Sequence, residues 1–175
     1  EVDNTVRLED GTLKTITDIY THKVDGVPVD LKLLHVAEET DFWYDVHNTF
    51  EDPYGAGTPV IIAGTGYTGT TGPTDKFVWS DTTTRDWRWG TSEVQTFTPY
   101  SYSAWTSYTI QMNYDHNRTE YESGLGSGDS GGGAFVRSSI TGEWELAGIN
   151  AYIDARQRVY DTSYSIWLTQ YVDWI

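Results

Sequence analysis

Three features of the sequence predict an all-β fold. Aromatic residues make up 15 % of the 175 residues, with 8 Trp and 13 Tyr beside many Thr and Val, the side chains that suit a pleated, half-buried surface. With 17 glycines the chain also holds the residues that many turns need. Segments such as residues 15–20 and 108–114 alternate apolar and polar side chains with the period of two expected of a strand.

The length suits one moderate domain or an incomplete larger one. With 11 Lys and Arg against 26 Asp and Glu, the net charge is −15, which argues against a nucleic-acid partner and reads as a solubility feature. There are no cysteines, so disulfides and thiolate zinc sites are excluded. No apolar run approaches the length of a membrane span, and no signal peptide is visible. The first residue is Glu1, not Met, which reads as a processed end, a cloning boundary or a truncation.

Taken in order, residues 2–19 read as two short extended pieces around Asp10-Gly11, a hairpin turn signal. Residues 21–28 read as a polar loop with a turn near Asp25-Gly26, followed by a strand over residues 29–36 with Asp30 at its entrance. An Asp there is either a loop cap or a functional carboxylate. Residues 38–57 form a polar and aromatic connector, and residues 59–66 a buried strand ending in Gly64-Thr65-Gly66. After a Gly- and Thr-rich loop come strands at residues 77–79 and 88–97, with Trp87 and Trp89 read either as a sugar-stacking platform or as packing on a β-surface. Residues 100–105 read as an aromatic loop. Asp115-His116-Asn117 reads as a polar turn or, less simply, a metal ligand set, and Asn117-Arg118-Thr119 fits a glycosylation sequon. Two strands follow about Thr141-Gly142, then a strand at residues 158–160 and a short terminal helix over residues 165–175 with Ile166, Tyr171 and Trp174 on its buried face.

The densest glycine run, Gly126-Ser127-Gly128-Asp129-Ser130-Gly131-Gly132-Gly133, leads straight into the apolar Ala134-Phe135-Val136. A serine hydroxyl becomes a nucleophile when a base takes its proton and backbone donors receive the oxyanion charge. A tight turn with Ser at its tip and glycine amides beside it supplies the second requirement. The alternative is a flexible Gly/Ser linker.

Gly128-Asp129-Ser130-Gly131-Gly132 resembles the nucleophile loop of the trypsin/chymotrypsin-like serine proteases, with Gly133 where that family usually has Pro. Asp30-Leu31-Lys32-Leu33-Leu34, which lies 100 positions before Ser130, resembles the segment carrying the triad aspartate. The resemblance runs over residues 15–175 and is weakest over residues 67–105. It implies a chymotrypsin-like double β-barrel, the first barrel incomplete and the second complete, with domains at residues 1–50 and 51–175. It also implies a serine endopeptidase acting on polypeptides without a cofactor or metal. Ser130 would be the nucleophile and Asp30 the carboxylate orienting an imidazole, with the amides of Gly128 and Ser130 as oxyanion hole. Gly124, Leu125 and Gly126 would form one wall of the primary pocket, and Ala151, Tyr152 and Ile153 the other. No acid stands where Lys and Arg are selected and Ile153 narrows the pocket, so small or medium apolar side chains are expected.

One part is missing. The triad histidine should lie well before Asp30, yet the only histidine among the 29 residues that precede it is His22, at a position where relatives carry a surface histidine. His35, His47 and His116 read as structural, connector and turn residues. The expectation is a fragment whose base sits on a missing N-terminal segment, inactive alone, from a secreted or extracytoplasmic enzyme. The competing class is a catalytically inactive, protease-like binding module. A third reading, a chance Gly-Asp-Ser in an unrelated β-sandwich, places Asp30 and Ser130 far apart.

Overall fold

The computed structural model describes residues 5–8, 11–40, 43–71, 77–79, 86–115, 118–156 and 159–175. Its first sheet is an antiparallel meander of β1 (Thr5–Arg7), β2 (Leu13–Val24) and β3 (Val27–Val36). The polar loop expected at residues 21–28 is instead a two-residue hairpin: β2 continues through Val24, and Asp25 (φ 51°) and Gly26 (φ 82°) make the turn. Positive φ at both positions matches the twist of the flanking strands, which is why Asp-Gly shortens the loop.

The remaining strands are β4 (Pro59–Gly64), β5 (Gly69–Thr71), β6 (Phe77–Trp79), β7 (Arg88–Tyr102), β8 (Trp105–Asn113), β9 (Gly133–Arg137), β10 (Trp144–Arg156) and β11 (Val159–Trp167). Antiparallel pairing runs β10-β9-β4-β7-β8-β11, and β10 also pairs with β11. That last pairing closes six strands into a barrel, while β6 and β5 extend from β11. Closure removes the free edges that an open sheet would expose. Alternation fills the barrel: Val60 and Ile62 of β4, Val94 of β7, and Ile110 and Met112 of β8 point inward with Leu125, Ala134, Val136 and Ala147.

A second apolar cluster joins the two sheets, with Val29 and Leu31 of β3 against Ile166, Leu168 and Tyr171. The aromatic loop expected at residues 100–105 is the end of a long hairpin: β7 runs to Tyr102, β8 starts at Trp105, and Ser103 adopts φ 57°. The terminal helix is shorter than expected. Ser165 and Ile166 are held in ladders with both β8 and β10, so β11 runs to Trp167 and only a 3-10 turn, Leu168–Tyr171, follows. Ile166 and Tyr171 are buried as anticipated, and Trp174 packs on the same cluster.

Ile110 is fully buried and Leu13 is mostly exposed. Truncating a buried aliphatic side chain removes its transfer free energy and leaves a cavity. Ile110→Ala therefore lowers unfolding free energy by about 2–5 kcal/mol in urea titrations, whereas Leu13→Ala changes it by no more than about 0.5 kcal/mol.

Candidate functional site

The serine loop joins Leu125 to β9 and is pinned from its inner side. Gly128 (φ 97°) and Gly131 (φ 87°) take the left-handed backbone that other residues avoid, and they bracket Asp129 and Ser130. The Asp129 N–H donates to the Gly126 carbonyl (3.1 Å), and the Gly132 N–H donates to the Asp129 carbonyl (3.0 Å). Asn150 of β10 exchanges two further bonds: its carbonyl accepts from Gly131 (2.9 Å) and its N–H donates to Gly132 (2.8 Å). The Asn150 side chain, itself buried, donates to the Ala63 carbonyl of β4 (2.9 Å) and accepts from the Ser165 hydroxyl of β11 (2.8 Å).

Asp129 turns its carboxylate inward. Its Oδ1 accepts from the Gly66 N–H (2.6 Å) and its Oδ2 from the Gly126 N–H (2.7 Å). A Cβ at Gly64 or Gly66 would fall on that carboxylate, which gives the Gly-x-Gly ending of β4 a steric reason. Among the described residues, the amides of Gly128 and Ser130 donate no hydrogen bond, and the Ser130 hydroxyl, on an exposed residue, has no partner. Two unspent donors thus flank one free hydroxyl.

Beside Ser130 lies a pocket of about 180 Å³, lined by residues 125–130 and 151–153. Five of the six expected wall residues border it; Gly124 lines instead a hollow of about 320 Å³ behind the loop, together with Asp129, Trp89 and Tyr121. Trp87 and Trp89 are both exposed, and Trp89 packs edge-on against Tyr121 at 5.1 Å. Pairing of β10 with β9 ends at Ile149, while pairing with β11 continues to Arg156. Among the described residues, positions 151–154 therefore have no strand on the edge that faces the pocket.

Asp30 is exposed on β3. Its N–H donates to the Ser107 hydroxyl (3.2 Å), which lies 3.5 Å from the Tyr152 hydroxyl. Burial pushes the Tyr152 phenol up to about 12, Ser107 opposes that shift, and the nearby Asp30 carboxylate reinforces it. Tyr152 thus lines the Ser130 pocket and meets Asp30 at its hydroxyl.

No described histidine lines this pocket. His22 packs on Tyr171 and Trp174, with ring centroids at 5.8 and 4.9 Å. The exposed His35 bonds Thr17 through Nδ1 at 2.6 Å. His47, 1 % exposed, lies beside Asp52, but both ring nitrogens are committed: Nδ1 to Glu145 (2.7 Å) and Nε2, as donor, to the Asp52 carbonyl (2.9 Å). The Asp52 carboxylate is taken up by the hydroxyls of Ser138 and Ser139 and by the Ser139 N–H. This cluster fastens the connector to β10 and to the turn after β9. His116 and Asn117, the turn, metal and sequon candidates, lie outside the described residues.

Residues 2–175 match the family model described as Trypsin. The chain belongs to the trypsin family. No curated protein matches the chain. Membership in the trypsin family accounts for the closed, nearly all-β architecture and supports a serine protease-like, hydrolytic function. Among the described residues, no helix is long and apolar enough to cross a membrane.

Sequence reasoning read Gly66 only as a strand end and His47 only as a connector residue, and it assigned no role to Asn150, Asp52 or Glu145. The one visible signal was a lone Asn inside the apolar run of residues 146–153.

The Asp52 carboxyl is held below its ordinary value, chiefly by the Ser139 hydroxyl, against burial, with help from Ser138 and the Ser139 amide. A carboxyl depressed in the folded state contributes stability above its unfolded pKa of about 3.9, and that contribution fades as pH falls toward the folded value. Stability measured by urea titration should therefore drop more steeply below about pH 4 in the natural protein than in Asp52→Asn. Equal slopes would show that this carboxylate does not carry the acid sensitivity.

Proposed function

We propose that the protein is a serine endopeptidase of the trypsin family with Ser130 as nucleophile and Asp30 as the orienting carboxylate. One observation carries the reading: the amides of Gly128 and Ser130 have no acceptor among the described residues and stand beside an exposed, unpartnered hydroxyl at an open strand edge. Ser130 Oγ attacks a peptide carbonyl held along residues 151–153, and its proton passes to an imidazole. The carbonyl oxygen takes the negative charge and is met by the two amides, each contributing about 2.7–4 kcal/mol of transition-state stabilisation. The imidazole then protonates the leaving amine, and water releases the acyl group by the same steps in reverse order.

The imidazole is not His22, His35 or His47, whose rings are engaged elsewhere. His116 reads from the sequence as a turn residue and lies outside the described residues, so we place the imidazole on a further polypeptide segment brought against Asp30 on the small sheet. The pocket volume of about 180 Å³, with Leu125 and Ile153 in its walls, suits a small or medium apolar side chain. Asp129 also borders this pocket, but its carboxylate is spent on Gly66 and Gly126. Like many members of the family, the protein would act outside the cytoplasm.

The absence of a histidine from the pocket, among the described residues, favours one other reading: a protease-like binding module. A fluorophosphonate probe on the full-length protein separates the two. The enzyme reading requires labelling at Ser130 that Ser130→Ala abolishes and that Asp30→Asn slows on the order of 10⁴-fold, the magnitude known for this triad chemistry. Peptide binding without any labelling would establish the module. In a peptide library, cleavage after Lys or Arg would overturn the apolar pocket.

A further inference from the structure

Of the proposed site residues, Asp30 alone stands on the first sheet, and an exposed carboxylate on a strand rotates freely unless something holds it. What holds it comes from the barrel. The Asp30 N–H donates to the hydroxyl of Ser107 on β8 (3.2 Å), and that hydroxyl lies 3.5 Å from the phenol of Tyr152 on β10. The phenol in turn meets the Asp30 carboxylate, which acts on it both as a charge and as a hydrogen-bond acceptor. Chemistry fixes the direction of these bonds. The Ser107 oxygen accepts from the amide, so its own proton is left for the phenol oxygen; a carboxylate only accepts, so the phenol proton points to Asp30. Three residues on three strands thus close a ring that begins and ends at Asp30. Both hydroxyls are fixed: Ser107 is 1 % and Tyr152 9 % exposed. The Tyr152 ring stacks on Tyr100 of β7 (centroids 4.7 Å apart, 26° between planes), and Tyr100 lies 4.5 Å from Tyr164 of β11.

We propose that Ser107 and Tyr152 are positioning residues, which hold the Asp30 carboxylate in the orientation that the imidazole of the peptidase needs. This deepens the peptidase reading and rests on it. A carboxylate orients an imidazole only as well as it is itself oriented, and a misplacement of about 1 Å can cost on the order of 10²-fold in rate. Ordering the carboxylate in the folded protein takes that cost out of the reaction. The ring of bonds also crosses from one sheet to the other. Val29 and Leu31 against Ile166, Leu168 and Tyr171 hold the sheets together, but apolar contact has no direction. Hydrogen bonds do, so the two hydroxyls set the angle that packing leaves open. Because Tyr152 also lines the Ser130 pocket, one side chain ties the orienting carboxylate to the wall beside the nucleophile.

The test measures the rate at which a fluorophosphonate labels Ser130 of the full-length protein, in a cycle of Tyr152→Phe, Asp30→Ala and the double variant. Tyr152→Phe keeps the ring and its stack on Tyr100 and removes only the hydroxyl. It should slow labelling roughly ten-fold, the worth of one hydrogen bond to a charged group. In the Asp30→Ala background the same substitution should change the rate by less than about two-fold, because the group it acts through is gone. Ser107→Ala should behave in the same way. Affinity of a blocked apolar hexapeptide for the Ser130→Ala protein should stay within about two-fold when Tyr152→Phe is added, since the ring still lines the pocket. Unchanged labelling in Tyr152→Phe overturns the proposal. Equal slowing in both backgrounds also overturns it, and marks the hydroxyls as a fastener between sheets. A matching loss of peptide affinity overturns it too, and assigns the phenol to substrate binding. In each of these cases labelling of the natural protein leaves the peptidase reading in place. Absence of labelling in the natural full-length protein removes both.

Discussion

A loop with three consecutive glycines has almost nothing to order it except hydrogen bonds, and here they converge on Asn150 and Asp129. Glycine loses more backbone freedom on folding than any other residue, so each tie must outweigh that loss. Asn150 makes four of them at once: two from its backbone to the loop, and two from its buried side chain to β4 and β11. A single amide thereby sets the loop against three strands of a closed barrel. A Cβ at Gly132 would collide with the Ala63 carbonyl, so this close approach is available only to glycine. Asp129 adds the remaining anchor through Gly66 and Gly126. With the inner side of the loop so occupied, the amides of Gly128 and Ser130 have no acceptor among the described residues and are the two that the peptidase reading would assign to a reacting oxygen.

The His47 cluster shows the opposite use of similar groups. It contains a histidine, an aspartate and serines within hydrogen-bonding reach, the same residue types as a catalytic triad. Every polar atom of the imidazole is nevertheless matched, and the ring is buried between Glu145 and the connector. Leaving such a group unpaired in the interior would cost about 1–3 kcal/mol or more, so its bonds are worth keeping made. A ring whose two nitrogens are both committed has no lone pair to offer a serine. It works as a fastener between residues 45–54 and β10, and β10 is the strand that lines the Ser130 pocket. Residue type alone does not separate the two clusters; exposure and spare hydrogen-bonding capacity do.

Much of the architecture was legible because it rests on local chemistry. Alternation marked β8, an apolar run ending in glycines marked β4, and the Asp-Ser pair within a glycine run marked the loop. Legibility failed where distant residues decide. Ser165 and Ile166 carry a short helical pattern, but ladders to β8 and β10 keep them extended. Residues 100–105 are polar and aromatic enough to pass for a loop, yet cross-strand pairing carries β7 through Tyr102. Asn150 and Gly66 gain their roles from partners 87 and 63 positions away, a separation at which the sequence carries no readable signal. Asp25-Gly26 erred the other way: the turn was visible, but its tightness came from two positive φ angles that residue names only permit.

The open edge of β10 raises a physical problem of its own. An unpaired strand edge invites pairing with any extended chain, including another copy of the same protein. The exposed stretch here is short and lies between two breaks in the β10–β11 register, at Asn150/Tyr152 and at Asp154/Ala155. Such irregularities twist a strand away from flat edge-to-edge contact, and they commonly occur beside active sites. Asp154 places a negative charge at the far end, and the net charge of −15 repels a second copy of the chain at longer range. A peptide entering singly, anchored by a side chain in the adjacent pocket, does not meet that repulsion unless it is itself acidic. In the proposed peptidase, the features that disfavour self-association at this edge would therefore also bias which chains it holds.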